Sequence, residues 1–306
     1  MHKKSKKSGF FLKLAMGLAI FIAFVCGAYF ALDKLIVPKY FKDYGINGMR
    51  DLVSVVSTLY SQPKEKEIIT NGFTPLDRQV AVEKLLEIGF PENSSGNEVD
   101  YAKVASASGF EIQAGEYLFT DRQVASIVDD MLKAGVLATK LPDLKFIDTN
   151  NITILQFIIS PVLVGEHNGQ KVYSSEKADI NLTFKFDTSA IRSQMAEAMD
   201  TPIFLLNMIL PETLYITTNY SLKINDQGEW ETFGNIGLNG RNAEDSQILL
   251  NLLIDFIFPA DDNMTLDKLT TECGNILLQG IGLLGDLKFT TNINNAGING
   301  VVITMR

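Results

Sequence analysis

From Thr120 onward the chain alternates between two hydrophobic rhythms. In "KADINLTFKFD" the residues Ala178, Ile180, Leu182, Phe184 and Phe186 interleave with Asp179, Asn181, Thr183 and Lys185. A period of two gives a strand one dry and one wet face. "TLYITTNYSLKIN" repeats the pattern through Leu214, Ile216, Tyr220 and Leu222, then turns at Asn225-Asp226-Gln227-Gly228 into "EWETFGNIGL". "NITILQFIIS" precedes the first of these strands, with "GEHNGQ" near the turn, and "LKFTTNI" with "GVVITM" closes the chain across Asn294-Asn295-Ala296-Gly297. Three strand pairs, each preceded by a helical stretch, predict an α+β fold: a curved antiparallel sheet covered on one face by helices.

Two of those helical stretches are apolar nearly all round. Residues 202–210, "PIFLLNMIL", carry almost no polar surface, and residues 247–258 keep only Gln247, Asn251 and Asp255 as a stripe at spacing four. Such helices need a cover, which is the sheet, a hydrophobic ligand or a partner protein. On the ligand reading, Leu206, Leu250, Leu253, Ile254 and Ile257 line a groove beneath the sheet.

The pentapeptide Asp-Arg-Gln-Val-Ala occurs twice, at Asp77–Ala81 and Asp121–Ala125. In the first copy Thr74 reads as the N-cap, Pro75 as the first helical residue and Gly89 as the stop. In the second, Thr120 caps directly, Gln123 completes a capping box and Gly135 stops the helix. The pentapeptide therefore sits at different depths in the two helices. The buried faces also differ: Ala81, Leu85 and Ile88 in one, Val124, Val128 and Met131 in the other. Convergent helix-start chemistry is favoured over an internal duplication. Residues 45–110 read as helical and polar-rich, broken by the loop "FPENSSGNEVD".

The head of the chain changes the picture. Lysines at 3, 4, 6, 7 and 13 precede residues 14–32, which contain no charge. Roughly 20 apolar residues cross a bilayer as a helix, and basic flanks stay cytoplasmic. The expected organisation is a basic cytoplasmic tail over 1–13, a single transmembrane helix over 14–36, a helical juxtamembrane segment over 37–110 and an extracytoplasmic α+β domain over 111–306. A net charge of −9, despite those lysines, argues against a nucleic-acid partner. Of the two cysteines, Cys26 lies in the expected span and Cys273 outside it, so the exported part has one thiol and no internal disulfide. Triplets of the glycosylation-acceptor type begin at Asn93, Asn151, Asn181, Asn219 and Asn263.

Catalytic and metal signatures are weak. His167 is the one histidine beyond the tail and reads as a solvated turn residue, which leaves a His-dependent triad or His-rich zinc site without its parts. "GIGLLG", residues 280–285, follows a helix and precedes a strand, the reverse of a dinucleotide site. Ser174-Ser175-Glu176-Lys177 runs into a strand instead of opening a helix. In "DDNMTLDKLTTE" Leu266 stands where a calcium loop needs glycine, so helix capping is the better account. No enzyme, cofactor or metal is expected.

At "LFTDRQVASIVDDML", followed by "NITILQFIIS" and the hairpin pairs, the chain resembles YpmS-like single-pass exported proteins and, more distantly, tubular lipid-binding (TULIP-like) domains. The shared layout is a basic tail, an anchor, a capped helix and curved antiparallel strands over apolar helices, and it covers at most residues 111–306. The resemblance implies a concave apolar surface for acyl chains. The expected function is therefore a membrane-anchored extracytoplasmic protein of the cell envelope that binds lipid or another hydrophobic ligand. The alternative is a non-enzymatic structural subunit of an envelope or secretion assembly, gripping a protein partner.

Overall fold

The computed structural model describes residues 28–42, 46–63, 72–106, 110–135, 149–189, 192–193, 211–224, 230–257, 265, 267–268, 270–271, 274–275, 286–293 and 298–305. The chain divides into two compact units, Met1–Ser57 and Thr58–Arg306. In the first, a π-helical turn Leu32–Ile36 leads into α1, Val37–Phe41. Helix α2, Met49–Tyr60, follows and runs on into the second unit. Asp33 Oδ1 accepts the Met49 N–H at 2.7 Å, satisfying an orphan donor of the α2 start. Lys34, 2.8 Å away, and that N–H hold the Asp33 carboxyl below its ordinary range. Tyr29, Phe30 and Leu35 stand exposed.

In the second unit the described helices are α3, Pro75–Ile88, α4, Tyr101–Ser106, α5, Asp121–Lys133, and α6, Ala243–Ile257. The strands are β1, Gly115–Thr120, β2, Ile152–His167, β3, Gln170–Asp187, β4, Thr213–Ile224, β5, Trp230–Leu238, β6, Asp286–Ile293, and β7, Ile298–Met305. The α+β class and the three hairpin pairs are as the alternation predicts. The single sheet is not. The strands form two antiparallel sheets, β2-β3-β4-β5 and β1-β7-β6.

Strand β1 is the reason for the difference. "GEYLFT" is short and directly precedes a helix cap, so its alternation is easily absorbed into the helix signal. It pairs along β7, with Phe119 opposite Val301 and Tyr117 opposite Ile303. This closes the β6–β7 hairpin into a sheet of its own instead of an extension of β5.

The core lies between the sheets and the helices. Phe157, Ile159, Ile180 and Leu182 from the larger sheet share one cluster with Phe289, Val301 and Ile303 from the smaller, Leu85 from α3 and Val124 from α5. Helix α3, expected in a juxtamembrane segment apart from the main domain, belongs to this core because Ala81, Leu85 and Ile88 lie on the face that α5 covers. Asn299 of β7 donates Nδ2 to the Ile159 carbonyl of β2 at 2.7 Å, joining the sheets by a polar contact.

The capping box expected at Thr120 is present, and Thr74, expected only as an N-cap, forms one too. Thr74 caps α3 with Asp77 at the third helical position, whereas Thr120 caps α5 with Gln123 there. The two pentapeptides thus enter their helices two positions out of step, as the cap residues dictate. Gly89 ends α3 at φ 107°, a left-handed conformation that glycine adopts without steric cost.

A buried asparagine fastens the end of the larger sheet. Asn239, at φ 50° and 1% exposed, donates Nδ2 to the carbonyls of Thr58 and Leu59 at 2.9 and 2.7 Å. Its Oδ1 accepts the Tyr215 N–H at 2.8 Å. One side chain thereby satisfies the last turn of α2 and the start of β4.

Among the described residues no helix is long and apolar enough to cross a membrane. Residues 1–27, which hold most of the expected span and Cys26, lie outside the described residues, as does Cys273.

Candidate functional site

Strands β2 and β3 form one long hairpin whose two halves have different surroundings. Its turn is the two-residue Asn168-Gly169, with φ 52° and 77° and His167 opposite Gln170. Positive φ at both central residues is the twist-matched hairpin solution, and Asn-Gly is the sequence that favours it. His167 is exposed beside this turn, as the sequence suggests.

Strand β4 pairs with residues 177–187 of β3 and goes no further. Beyond Lys177, among the described residues, the hairpin pairs only with itself. The ladder breaks there: Pro161 faces Ala178, but the next pair is Leu163 with Tyr173. Val162 alone spans the gap that Ser174, Ser175, Glu176 and Lys177 fill on the other strand. Pro161 has no N–H to give, and Ser174 Oγ accepts the Glu176 N–H at 3.1 Å, so a side chain takes over part of the backbone's work.

Past this neck, residues 163–173 form a head, and every one of the eleven is exposed. Leu163, Val164, Val172 and Tyr173 are 51, 58, 42 and 40% exposed. Glu166 faces Lys171 at the tip. The head is an apolar band below a polar end, with a backbone edge on each strand that pairs with no third strand among the described residues. A lone two-stranded hairpin is marginal in water, and open edges invite strand addition.

A second cluster is polar and sits in the core. Arg78, from the first pentapeptide, reaches Asp130 of α5, with Nη2 to Oδ1 at 2.5 Å and Nε to Oδ2 at 3.2 Å. Asp130 is 7% exposed, and burial pushes its carboxyl up to about 6 although Arg78 pulls the other way. Tyr101 lies close by, its hydroxyl buried, and burial with the Asp130 charge drives its ionisation far above the usual phenol range. Asp129, also buried, pairs with Lys133 at 2.5 Å. Lys84 donates to the Leu118 carbonyl and to Gln123 Oε1 at 2.8 and 3.1 Å, and desolvation lowers its affinity for a proton. These groups clamp α3 to α5. No group of three metal-ligating side chains occurs among the described residues.

The expected groove residues divide three ways. Leu250 and Ile254, one turn apart on α6, are 6 and 4% exposed, covered by the protein itself. Leu253 and Ile257 belong to α6 by their backbone, with side chains outside the described residues, and Leu206 lies outside them altogether. Gln247 and Asn251 are exposed, as the spacing-four stripe requires. Helix α6 packs on β5.

The sequence reading did not single out the head. Its signal was present in two forms: the four apolar residues flank Asn168-Gly169 without strict alternation, and Ser174-Ser175-Glu176-Lys177 interrupts the apolar positions of β3. The Arg78–Asp130 pair had no local signal, since 52 residues separate the partners.

No protein-family model, curated protein or solved structure matches the chain.

Proposed function

We propose that the chain is a non-enzymatic, membrane-tethered envelope subunit that grips a protein partner with the hairpin head at residues 163–173. The observation that carries this reading is the head itself: four large apolar side chains exposed on a hairpin that pairs with no third strand among the described residues. A partner strand added to a free edge would supply the missing backbone bonds, and its side chains would cover the apolar band. The polar tip, Glu166 to Lys171, fits passage across a protein groove better than insertion into hydrocarbon, where ionised groups are costly.

The tether is the apolar stretch at residues 14–32. Its support is the lysine-rich head before it and the exposed Tyr29 and Phe30 near its end with Leu35 just beyond, a surface that lipid would cover. Orientation with the main unit outside the cytoplasm rests on the same lysines. The acyl-chain reading and the layout resemblance behind it have less to stand on. A groove needs Leu250 and Ile254 open to a ligand, and both are closed by the protein's own packing.

The test is site-specific photocrosslinking of the full chain in cells that produce it. Probes at Val164 and Tyr173 are expected to capture one and the same protein, with no such adduct from probes at Glu244 or Gln247 on α6. Equal capture from all four positions, or none from the head, contradicts the proposal.

A further inference from the structure

The outward face of the larger sheet carries side chains in transverse register. Asn181 of β3 stands opposite Asn219 of β4, which stands opposite Asn235 of β5. Their amides are linked in one direction: Asn181 Nδ2 donates to Asn219 Oδ1 at 2.5 Å, and Asn219 Nδ2 donates to Asn235 Oδ1 at 3.3 Å. An amide nitrogen has two N–H groups and the oxygen two lone pairs, so a ladder that uses one of each leaves the others on the exposed Asn219 and Asn235 for a ligand. At its β3 end the buried Asn181 Oδ1 has no partner.

The neighbouring row supplies different chemistry. Ser221 Oγ donates to Asp179 Oδ1 at 2.6 Å, and the next position across, on β5, is Phe233. Its ring is 56% exposed, with Lys223 Nζ 5.0 Å from the centroid. On the other side of the amide ladder the face is closed, because the Arg241 main-chain oxygen occupies the place a side chain at Gly237 would take. The result is a flat strip of fixed amides and hydroxyls with one aromatic platform and one wall.

We infer that this strip binds a polysaccharide chain. Planar amides pair with sugar hydroxyl and N-acetyl groups as both donor and acceptor, and an exposed ring stacks on the C–H face of a pyranose. Neighbouring strands are about 4.8 Å apart, close to the advance of one sugar unit along a β-linked chain, so a chain laid across the strands meets about one amide per unit on β3, β4 and β5. On β3 and β4 an extended peptide fits less well, since residues 178–186 of β3 and 216–223 of β4 are already paired on both sides and offer no backbone edge. A phosphate-rich ligand would meet Asp179 and Glu231. The strip lies on a different surface from the hairpin head, and the inference does not depend on the partner reading.

The test is retention of the detergent-solubilised full chain on insoluble peptidoglycan, chitin and cellulose, followed by calorimetry with soluble oligosaccharides of whichever polymer retains it. Retention by at least one is expected. Phe233→Ala and Asn235→Ala should each weaken it about tenfold or more with little change in melting temperature. Phe233→Tyr should keep it, and this variant decides the matter if alanine at 233 proves unstable. Gln247→Ala, on the exposed side of α6, should leave it unchanged. No retention on any of the three polymers, or equal retention by the Phe233→Ala, Asn235→Ala and parent proteins, overturns the inference.

Discussion

The two halves of the β2–β3 hairpin use similar residues to opposite ends. Near the base, Phe157, Ile159, Ile180 and Leu182 are 0, 0, 2 and 2% exposed. Near the turn, Leu163, Val164, Val172 and Tyr173 are 40% exposed or more. Nothing in hydrophobicity separates the groups. What separates them is whether β4 runs alongside and whether β6, β7 and α5 close over the face. A strand's apolar face is a claim on a neighbour, and in the head no neighbour among the described residues meets it.

The contrast is sharpened first at its buried end. Phe157→Ala removes a side chain that both sheets and α5 enclose and should cost about 3–5 kcal/mol, by transfer and cavity terms together. Urea unfolding measures it. A cost below about 1 kcal/mol would mean that the base of the hairpin is as loosely held as the head, and the distinction would fail.

A smaller effect concerns the charge inside the same core. The Asp130 carboxyl binds its proton more tightly in the folded protein, at about 6 against an ordinary 3.8. Between these values the native state holds a proton that the unfolded chain has lost, so stability from this group falls as pH rises through the window. The penalty is fully present above about pH 6. Arg78, Asp129 and Lys133 face the group and set the balance. Asp130→Asn should flatten the unfolding midpoint between roughly pH 4 and 6 relative to the parent. The opposite slopes from Asp33, Asp100 and Asp187, whose carboxyls are held below the ordinary range, are common to both proteins and cancel. Parallel pH profiles for parent and variant would place the penalty elsewhere.

Local signals carried most of the element-level reading. Caps at Thr74 and Thr120, the alternation in β3 and β4, and the Gly89 stop depend on residues within four or five positions, and each was legible. What was not legible depends on distant partners. The split into two sheets follows from β1 meeting β7 across nearly the whole second unit. The near-complete burial of α5, including Asp129 and Asp130, follows from packing on three sides that a one-face periodicity does not reveal. Gln247 and Asn251 of the expected α6 stripe are exposed, whereas period alone says that Leu250 and Ile254 are covered and not by what. The exposed head is the same problem inverted: its residues look like core until the length of β4 is known.

The most direct test is removal of the head. Replacing residues 163–173 by a two-residue Asn-Gly turn at the neck, in the full chain, should leave the melting temperature nearly unchanged, since exposed positions away from caps and cores contribute within about 0.5 kcal/mol each. The protein captured by the Val164 and Tyr173 probes should then no longer co-purify. Retention of that protein at the parent's level, or loss of the folded state with the head, would show that the hairpin's outer half serves the fold and not a partner.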